Sequence, residues 1–407
     1  MQPEKKPFKN PFRPGAGHMP PFLAGRDAEK EEFVRLLSQE VVLANLVLTG
    51  LRGVGKTVLL DTFKPTAMSE GWLWVGTDLS ESMSLSEDNI STRLLTDLSV
   101  VTSQLVIDRK IQNSIGFVNQ PQLVETTLSF GTLAEIYKST PGLAADKLKR
   151  TLNVVWQVLQ HSGAKGLVFA YDEAQNLEDH AGKDQFPLSL LLDLFQSIQK
   201  QDIPFLLLLA GLPTLLPKLV QARTFSERMF HVVTLDRLGP LDCKAAILEP
   251  IQKESCPVRF NAASVETITK ISGGYPYFIQ FICREVYDVF IQQHVEGMKA
   301  SVPVDEIVRK LDTDFFFGRW AKATDRQREL LELIATLDTS DSEFTVQEIV
   351  AASKSASLRA MSGSSVNQML GSLTDAGLVF KNRHGKYSFA VPLLGSFIKR
   401  QSSQATL

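Results

Sequence analysis

The sequence predicts an α/β fold: a parallel sheet with helices on both faces, then a small helical lid domain and a winged helix-turn-helix. Three observations support this prediction. Up to about residue 240, short strands that are apolar along their whole length alternate with helices, as in parallel sheets buried on both faces. From about residue 241 the pattern is wholly helical, and after Asp325 three helices precede a hairpin.

The predicted strands and the changes of pattern define the domain boundaries. The strands are NLVLT (45–49), GWLWVGTDLS (71–80), GLVFAYDEA (166–174), PFLLLLAG (204–211) and FHVVTLDRL (230–238). A long, mostly helical stretch separates the second strand from the third and ends near residue 162. We expect an extended, basic, proline-rich arm, a sheet domain, a lid domain, a winged-helix domain and a disordered tail, at residues 1–21, 22–240, 241–320, 321–400 and 401–407.

Composition is that of an ordinary globular protein. The 407 residues carry a net charge of −2, so nucleic-acid binding would depend on local basic patches. The three cysteines have no metal-ligand spacing and suit a reducing compartment. The N-terminal segment lacks the apolar core of a signal peptide, and prolines break the longest apolar run. We therefore expect a cytoplasmic protein without a membrane span.

The first strand leads into LTGLRGVGKTVLL (48–60), which fits the pattern G-x-x-x-x-G-K-[ST]. A glycine loop between a strand and a helix turns its backbone amides towards a bound phosphate, and the helix dipole adds to the attraction. Lys56 would neutralise the β- and γ-phosphates, and the Thr57 hydroxyl would ligate Mg²⁺. The residues expected to contact the phosphates are Gly50, Gly53, Val54, Gly55, Lys56, Thr57 and Val58.

The third strand ends in Asp172 and Glu173. Asp172 would hold the magnesium ion through water, and Glu173 would act as general base on the attacking water. The chain has no N-K-x-D sequence for guanine selection and no set of protein-kinase motifs. These residues therefore predict Mg²⁺-dependent ATP hydrolysis. Glu173 argues against a scaffold that binds nucleotide without turnover.

Four segments together, FLAGRD, GLRGVGKT, VFAYDEA and GGYP, resemble those of the AAA+ superfamily. The similarity spans about residues 20–300 and is to the branch near the origin-recognition-type ATPases and the STAND signalling NTPases. It implies that Phe22, Leu23, Gly25 and Arg26 line the adenine pocket. It also implies that Pro276 packs on the nucleotide and that copies of the chain assemble.

The sequence departs from the AAA+ pattern at two places. The fourth strand ends in LLLLAGLP, without a polar residue to sense the γ-phosphate, and no arginine begins the helix after SGGYPYF. We therefore expect a switch whose hydrolysis is slow or stimulated by a partner. Arg228, before the fifth strand, is the candidate that would reach the phosphate of a neighbouring copy. The alternative is a surface arginine paired with Glu227 or another acid.

The C-terminal unit has two interpretations. Between residues 354 and 400 there are seven Lys or Arg and one acid, and a basic wing is typical of DNA binding. Wing residues Lys381, Arg383 and Lys386 would contact phosphates, while Asn367 and Gln368 would face base edges. Alternatively, the winged helix binds protein, and the chain is a STAND-like sensor that recruits a separately encoded effector. The biological process stays open between replication, transposition and defence.

Overall fold

The computed structural model describes residues 9–15, 17–112, 122–253, 259–298, 301–355, 361–383 and 385–405. The chain forms two compact units. The sheet unit consists of Ala28–Thr49 and Leu59–Thr234. The lid unit consists of Met1–Asp27, Gly50–Val58 and Leu235–Leu407.

The strands are β1 (Asn45–Gly50), β2 (Trp72–Val75), β3 (Val106–Gln112), β4 (Gln122–Thr127), β5 (Gly166–Tyr171), β6 (Phe205–Gly211), β7 (Phe230–Leu235), β8 (Phe344–Thr345), β9 (Val379–Arg383) and β10 (Lys386–Phe389). The α-helices up to residue 229 are α1 (Asp27–Leu37), α2 (Lys56–Ser69), α3 (Glu87–Thr102), α4 (Phe130–Ser139), α5 (Ala144–Leu159), α6 (Pro187–Gln199), α7 (Leu215–Ala222) and α8 (Ser226–Met229). Those after it are α9 (Pro240–Lys253), α10 (Ala262–Ser272), α11 (Pro276–Val295), α12 (Val304–Leu311), α13 (Gly318–Trp320), α14 (Asp325–Thr336), α15 (Val346–Ser355), α16 (Gly363–Asp375) and α17 (Leu394–Ala405).

The central sheet has the strand order β2-β5-β6-β1-β7. The pairs β2–β5, β5–β6 and β1–β6 are parallel. Thr49 pairs with Gly211, and Tyr171 pairs with Leu209. Because parallel strands end at the same edge of a sheet, the residues that follow β5 and β6 emerge together. The five predicted strands and the parallel sheet are confirmed.

Helices pack on the sheet through apolar stripes of helical spacing. On α5, Leu148, Leu152 and Val155 recur at intervals of three and four and have no exposed surface. The Phe195 ring of α6 meets the Phe169 ring of β5 edge-on, with centroids 5.0 Å apart. These contacts belong to one apolar core of the sheet unit. They hold β5 in place, and therefore the residues at its carboxyl end.

A pair of strands interrupts the stretch that the sequence predicted to be mostly helical. Strands β3 and β4 pair with each other in an antiparallel two-stranded ribbon. The prediction was wrong for these residues. The other strands were recognised by a continuous apolar run, and β3 and β4, which do not join the central sheet, lack such a run.

The lid unit contains α9–α17 around one apolar core that extends from α9 to α17. A π-helical turn, Asp312–Phe317, connects α12 to α13. From α14 onward the order is helix, strand, helix, helix and hairpin, with β8, β10 and β9 in one sheet. This is the predicted winged helix-turn-helix. Helix α17 extends to Ala405, which corrects the predicted disordered tail for residues 401–405.

The described part of the N-terminal arm has no helix or strand before α1, and it packs on the lid unit. Phe12 is 1% exposed, and its ring lies 6.2 Å from that of Phe260 and 6.4 Å from that of Tyr287. The Asn10 amide donates to the carbonyl of Arg284 and to Asp288 of α11. The arm is therefore part of the lid core.

None of the helices in the described ranges is long and apolar enough to cross a membrane. Cys243 and Cys283 are buried free thiols, and Cys256 lies outside the described residues.

Candidate nucleotide-binding site

The loop between β1 and α2 requires glycine at the positions that the motif predicts. Gly50, Gly53 and Gly55 have φ values of 155°, 80° and 94°. A Cβ at Gly50 would overlap the carbonyl oxygen of Leu235, and one at Gly53 would lie 3.1 Å from the Cβ of Tyr277. At Gly55 a Cβ would meet nothing within 4 Å. The loop is therefore curled and tightly backed at its first two glycines.

The predicted phosphate ligands follow in the same loop. The Lys56 ammonium donates to the carbonyl oxygens of Gly50 and Leu51, both at 2.9 Å, so its charge lies over the loop. Helix α2 begins at Lys56, so the loop runs directly into a helix N-terminus. Val54 is buried, whereas Thr57 and Val58 are partly exposed.

The lid unit holds the loop through the start of α11. The backbone amide of Tyr277 donates to the carbonyl of Gly53 at 3.1 Å. Pro276 is the first residue of α11, and the Gly274 carbonyl before it accepts a hydrogen bond of 2.8 Å from Leu238. The G-x-P sequence therefore brings a helix N-terminus to the glycine loop.

Arg26 is buried, at 6% exposure, and contacts the loop from the N-terminal side. Its guanidinium donates to the carbonyl of Val54 at 3.0 Å and to that of Asp236 at 2.7 Å. Gly25 has φ 62° and is backed by the Asp242 side chain, 2.6 Å from a Cβ built there. Arg26 thus ties the glycine loop to the segment after β7.

Phe22 and Leu23 are partly exposed, and Phe22 packs against the lid core. Their lining of an adenine pocket, with Gly25 and Arg26, stays a prediction.

A second cation that the sequence did not single out lies near the loop. The Arg319 guanidinium is 4.4 Å from the centroid of the Phe315 ring. Burial is the main cause that lowers the pKa of Arg319, and the nearby Arg52 guanidinium of the glycine loop lowers this pKa further. Two cations that repel each other beside a phosphate loop favour an anionic ligand.

In the sheet unit, Asp172 and Glu173 directly follow β5. Asp172 is 3% exposed, and its carboxylate accepts the backbone amide of Glu173 at 2.7 Å. Glu173 is exposed and has φ 53°, in the left-handed region that favours glycine. Such strain costs about 1–2 kcal/mol and concentrates at functional sites. The strained residue is the one predicted to be the general base.

The end of β1 carries an unsatisfied polar atom. The Thr49 hydroxyl is buried and has no hydrogen-bond partner among the residues that the structure describes. Thr49 directly precedes Gly50, and buried hydroxyls are almost always paired in proteins. A polar ligand or water at this end of the strand would satisfy it. Within the lid unit, the curled loop and the Lys56 charge fit a bound nucleotide phosphate.

Gln175 was not predicted, although it directly follows the acidic pair in the sequence DEAQ. Its side-chain amide donates to the Glu173 carboxylate and accepts the Leu212 backbone amide at 3.0 Å. The Lys218 ammonium donates to the Gln175 carbonyl at 2.8 Å. The turn after β5 is therefore joined to the turn after β6.

The two arginines before β7 differ in their surroundings. Arg223 donates from two nitrogens to Asp193, at 2.8 and 2.7 Å, and from its third nitrogen to the Ser189 hydroxyl. Its ion pair with Asp193 raises the pKa of Arg223. Arg228 lies on α8, is exposed, and forms no ion pair with any described residue, Glu227 included. This geometry leaves Arg228 as the candidate that could reach another molecule.

The winged helix presents the predicted polar residues at its surface. Asn367 and Gln368 are exposed on α16, and Lys381 is exposed on β9. Lys386 is partly exposed and lies 4.0 Å from the Glu343 carboxylate. The side chain of Arg383 and the turn residue His384 lie outside what the structure describes. An acid that the sequence count, which begins at residue 354, left out therefore lies beside the wing.

A cavity of about 400 Å³ lies between the start of α14 and the exposed face of α16. Gln327 of α14 donates to the Ser372 hydroxyl of α16 at 2.9 Å inside it. Its lining residues are Thr324, Arg326, Gln327, Ser365, Gln368, Met369 and Ser372. Helix α16 has no arginine, and Arg326 supplies one to this face.

The winged helix is packed on the rest of the lid unit. Arg400 of α17 forms a two-nitrogen ion pair with Asp312 of the π-helical turn. The Phe397 ring stacks on that of Phe316, with centroids 5.2 Å apart. Leu393, strained at φ 64°, lies against Gly273 of the G-G-Y-P sequence. Arg400, one of the seven basic residues, is thus a structural ion-pair partner.

No group of three or more potential metal ligands of the His, Cys, Asp and Glu types occurs among the described residues. A magnesium ion bound with nucleotide needs few protein ligands, since phosphate and water supply the others. The predicted ligands Thr57 and Asp172 are one hydroxyl and one carboxylate, as such an ion requires.

Comparison with known proteins supports the fold. Residues 313–398 match a domain of unknown function, DUF8462, which begins in the π-helical turn and ends in α17. No curated protein sequence matches the chain. Among solved structures, the Aeropyrum pernix ORC2 protein in its ADP form matches with a TM-score of 0.54 and 15% identity, covering 95% of this chain and 97% of that one.

The ADPNP–ADP complexes of the same Aeropyrum protein match with a TM-score of 0.52 and 16% identity, covering 96% of this chain and 98% of that one. The Aeropyrum pernix ORC1 protein in complex with DNA matches with a TM-score of only 0.45 and 13% identity, over 95% of each chain. The first two similarities extend over almost the full length of both chains. The chain therefore has the fold of these Aeropyrum pernix ORC2 structures.

Proposed function

We propose that this protein is an ATP-binding and slowly hydrolysing AAA+ switch that assembles with copies of itself and engages duplex DNA through its winged helix. The observation that carries the proposal is the glycine loop. It is curled at three glycines, holds the Lys56 ammonium over its carbonyls, and is bonded to the first turn of α11. The similar Aeropyrum ORC2 structures contain ADP and ADPNP, which supports nucleotide as the ligand.

Each residue of the proposed site has a defined task. Lys56 neutralises phosphate charge, and Thr57 and Asp172 hold Mg²⁺, which would stabilise the charge that develops on the transferred phosphoryl group. Glu173 accepts a proton from the attacking water. Arg228 of a neighbouring copy would stabilise the same charge from outside.

The switch is supported by contacts that continue from the loop to the winged helix. Gly53 accepts a hydrogen bond from Tyr277, and the next residue, Phe278, packs edge-on against Phe315 at 4.9 Å. Phe316 then stacks on Phe397 of α17. A nucleotide that contacts the loop and α11 differently as ATP and as ADP would bias this packed series. Slow hydrolysis fits the end of β6, where Ala210 and Gly211 supply no polar sensor.

DNA is the partner we favour for the winged helix. Gln368, one of the exposed amides of α16, lies beside Arg326, so one face offers both an arginine and a side chain that can reach base edges. Lys381 adds a wing cation. The protein-binding alternative is favoured by Glu343, which lies beside Lys386 and would repel DNA phosphates. Duplex DNA should stimulate ATP turnover if DNA is the partner of the winged helix, and it should have no effect if the partner is a protein. Particle mass is measured in parallel.

The experiment that tests nucleotide chemistry compares two variants. Lys56→Ala should lower ATP affinity strongly because it removes charge that stabilises the bound ground state. Glu173→Gln should bind ATP like the wild type and lose about 100-fold or more in turnover, because it acts only on the attacking water. Equilibrium binding of a fluorescent ATP analogue and phosphate release are the readouts. Turnover at the wild-type rate in Glu173→Gln would mean that the base is misassigned.

A further inference from the structure

Gln175 makes two hydrogen bonds with one side chain, and they fix its orientation. Its oxygen accepts the backbone amide of Leu212 at 3.0 Å, so the amide nitrogen must face the other way. That nitrogen donates to the Glu173 carboxylate. The oxygen end is therefore held by the turn after β6, and the nitrogen end holds the base.

The turn that carries Gln175 is itself anchored. Ala174–Asn176 forms a single 3₁₀ turn after the strained Glu173. Lys218 of α7 donates to the Gln175 carbonyl at 2.8 Å and to Glu178 at 3.0 Å. Two independent contacts of Gln175 thus join the turn after β5 to Leu212, which follows β6, and to Lys218 of α7.

Gly211, the last residue of β6, has no Cβ and so leaves room for the Gln175 side chain. A Cβ there would lie 2.8 Å from the Gln175 side-chain oxygen and 3.0 Å from Leu215. Any side chain at Gly211 would therefore displace the Gln175 amide. The strand end that lacks a polar sensor is the one that receives the polar side chain of Gln175.

We propose that Gln175 is the positioning residue that orients Glu173 as general base and couples it to the end of β6. This inference rests on the proposed ATP hydrolysis. Gln175 acts through the Glu173 carboxylate and through the Leu212 amide, so its removal should slow turnover without weakening nucleotide binding. The turn after β5 thus supplies, through Gln175, the polar side chain that the end of β6 lacks.

The test uses the full chain and three variants. Gln175→Ala removes both hydrogen bonds. Gln175→Glu keeps an acceptor for Leu212 but sets a second carboxylate against Glu173. Gly211→Ala leaves Gln175 in the chain and displaces its amide. Each should lower kcat by about 10- to 100-fold, with the Kd for ATP within about twofold of the wild type, since misplacement by about 1 Å has effects of this size.

Two controls separate positioning from general loss of structure. Glu178→Gln removes the other contact of Lys218 and should keep wild-type kcat. In a Glu173→Gln background, Gln175→Ala should cause no further loss of the residual rate, because the residue through which Gln175 acts is already disabled. A merely structural role would lower the rate by the same factor in both backgrounds.

The outcomes are distinct. If wild-type turnover depends on Lys56 but Gln175→Ala and Gly211→Ala keep the wild-type kcat, the inference is overturned and the proposed function stands. Equal losses with and without Glu173 also overturn it. Wild-type protein without Lys56-dependent turnover overturns the proposed function and this inference with it.

Discussion

Glu173 combines a strained backbone with a side chain held by a neighbour. The left-handed conformation costs about 1–2 kcal/mol for a residue with a Cβ. The hydrogen bond from Gln175 fixes the orientation of the Glu173 carboxylate. Arg26 is similarly fixed, by two carbonyl oxygens in different segments. At the scale of single residues, the charged groups of the candidate site have few accessible orientations, as preorganised chemistry requires.

Phe12 gives a residue-scale prediction about stability. Its ring is 1% exposed and packs on Phe260 and Tyr287, so Phe12→Ala removes a fully buried aromatic side chain. We expect a loss of about 3–5 kcal/mol in the free energy of unfolding. The matched control, Phe130→Ala, concerns a ring that is 42% exposed and should cost about 0.5 kcal/mol or less. Urea unfolding of both variants provides the comparison, and equal midpoints would refute a docked arm.

At the scale of elements, α8 offers Arg228 to another molecule. We expect Arg228→Ala to keep nucleotide binding and to lose hydrolysis. Mixed with Glu173→Gln protein it should regain partial activity, because some sites then pair an intact Glu173 with an intact arginine from a neighbour.

The matched control for this mixing experiment is Arg223→Ala, which breaks the ion pair with Asp193 and should not be rescued. A phosphate-release assay under conditions where oligomers of the wild type are seen is the measurement. Mixtures no more active than the sum of the two mutants would rule out an arginine acting between copies.

The wing gives a second prediction at this scale. Charge reversal at Lys381 and Lys386 should weaken duplex binding equally for all sequences and lower the slope of log affinity against log salt by about 2. Lys399→Glu, an exposed site on α17 outside the wing, is the control. Titrations at several salt concentrations measure both effects. Wild-type protein without duplex affinity even at low salt would favour the protein-binding alternative.

The elements that the sequence predicted well are those with a continuous local signal. The central strands are apolar throughout, and the glycine loop has its ligands on consecutive residues, so both could be located without a fold. The β3–β4 ribbon lacked that signal. Gln175 and Leu212 are far apart in sequence and meet because β5 and β6 are neighbours. The pairing of Arg400 with Asp312 likewise depends on how α17 packs. Such contacts are properties of the tertiary structure and leave no pattern in the sequence.

At the scale of the whole molecule, the lid unit has one apolar core that includes the N-terminal arm, α9–α12 and the winged helix. The glycine loop belongs to the same unit and is hydrogen-bonded to α11. The strained Leu393 lies against Gly273, beside the G-x-P sequence. Packed interfaces of this kind tend to adopt discrete arrangements because a close-packed core does not deform continuously. We therefore propose that the nucleotide selects between arrangements of α11 and the winged helix.

Amide hydrogen exchange of Glu173→Gln protein with ATP and with ADP tests this claim most directly, because this variant should hold ATP without turnover. We expect different exchange for ATP and ADP at the start of α11, where Tyr277 donates to Gly53, and also at the π-helical turn and α17. Lys56→Ala protein should lack the difference. Saturating binding of both nucleotides with identical exchange in α11, the π-helical turn and α17 would contradict a switch between arrangements selected by the nucleotide.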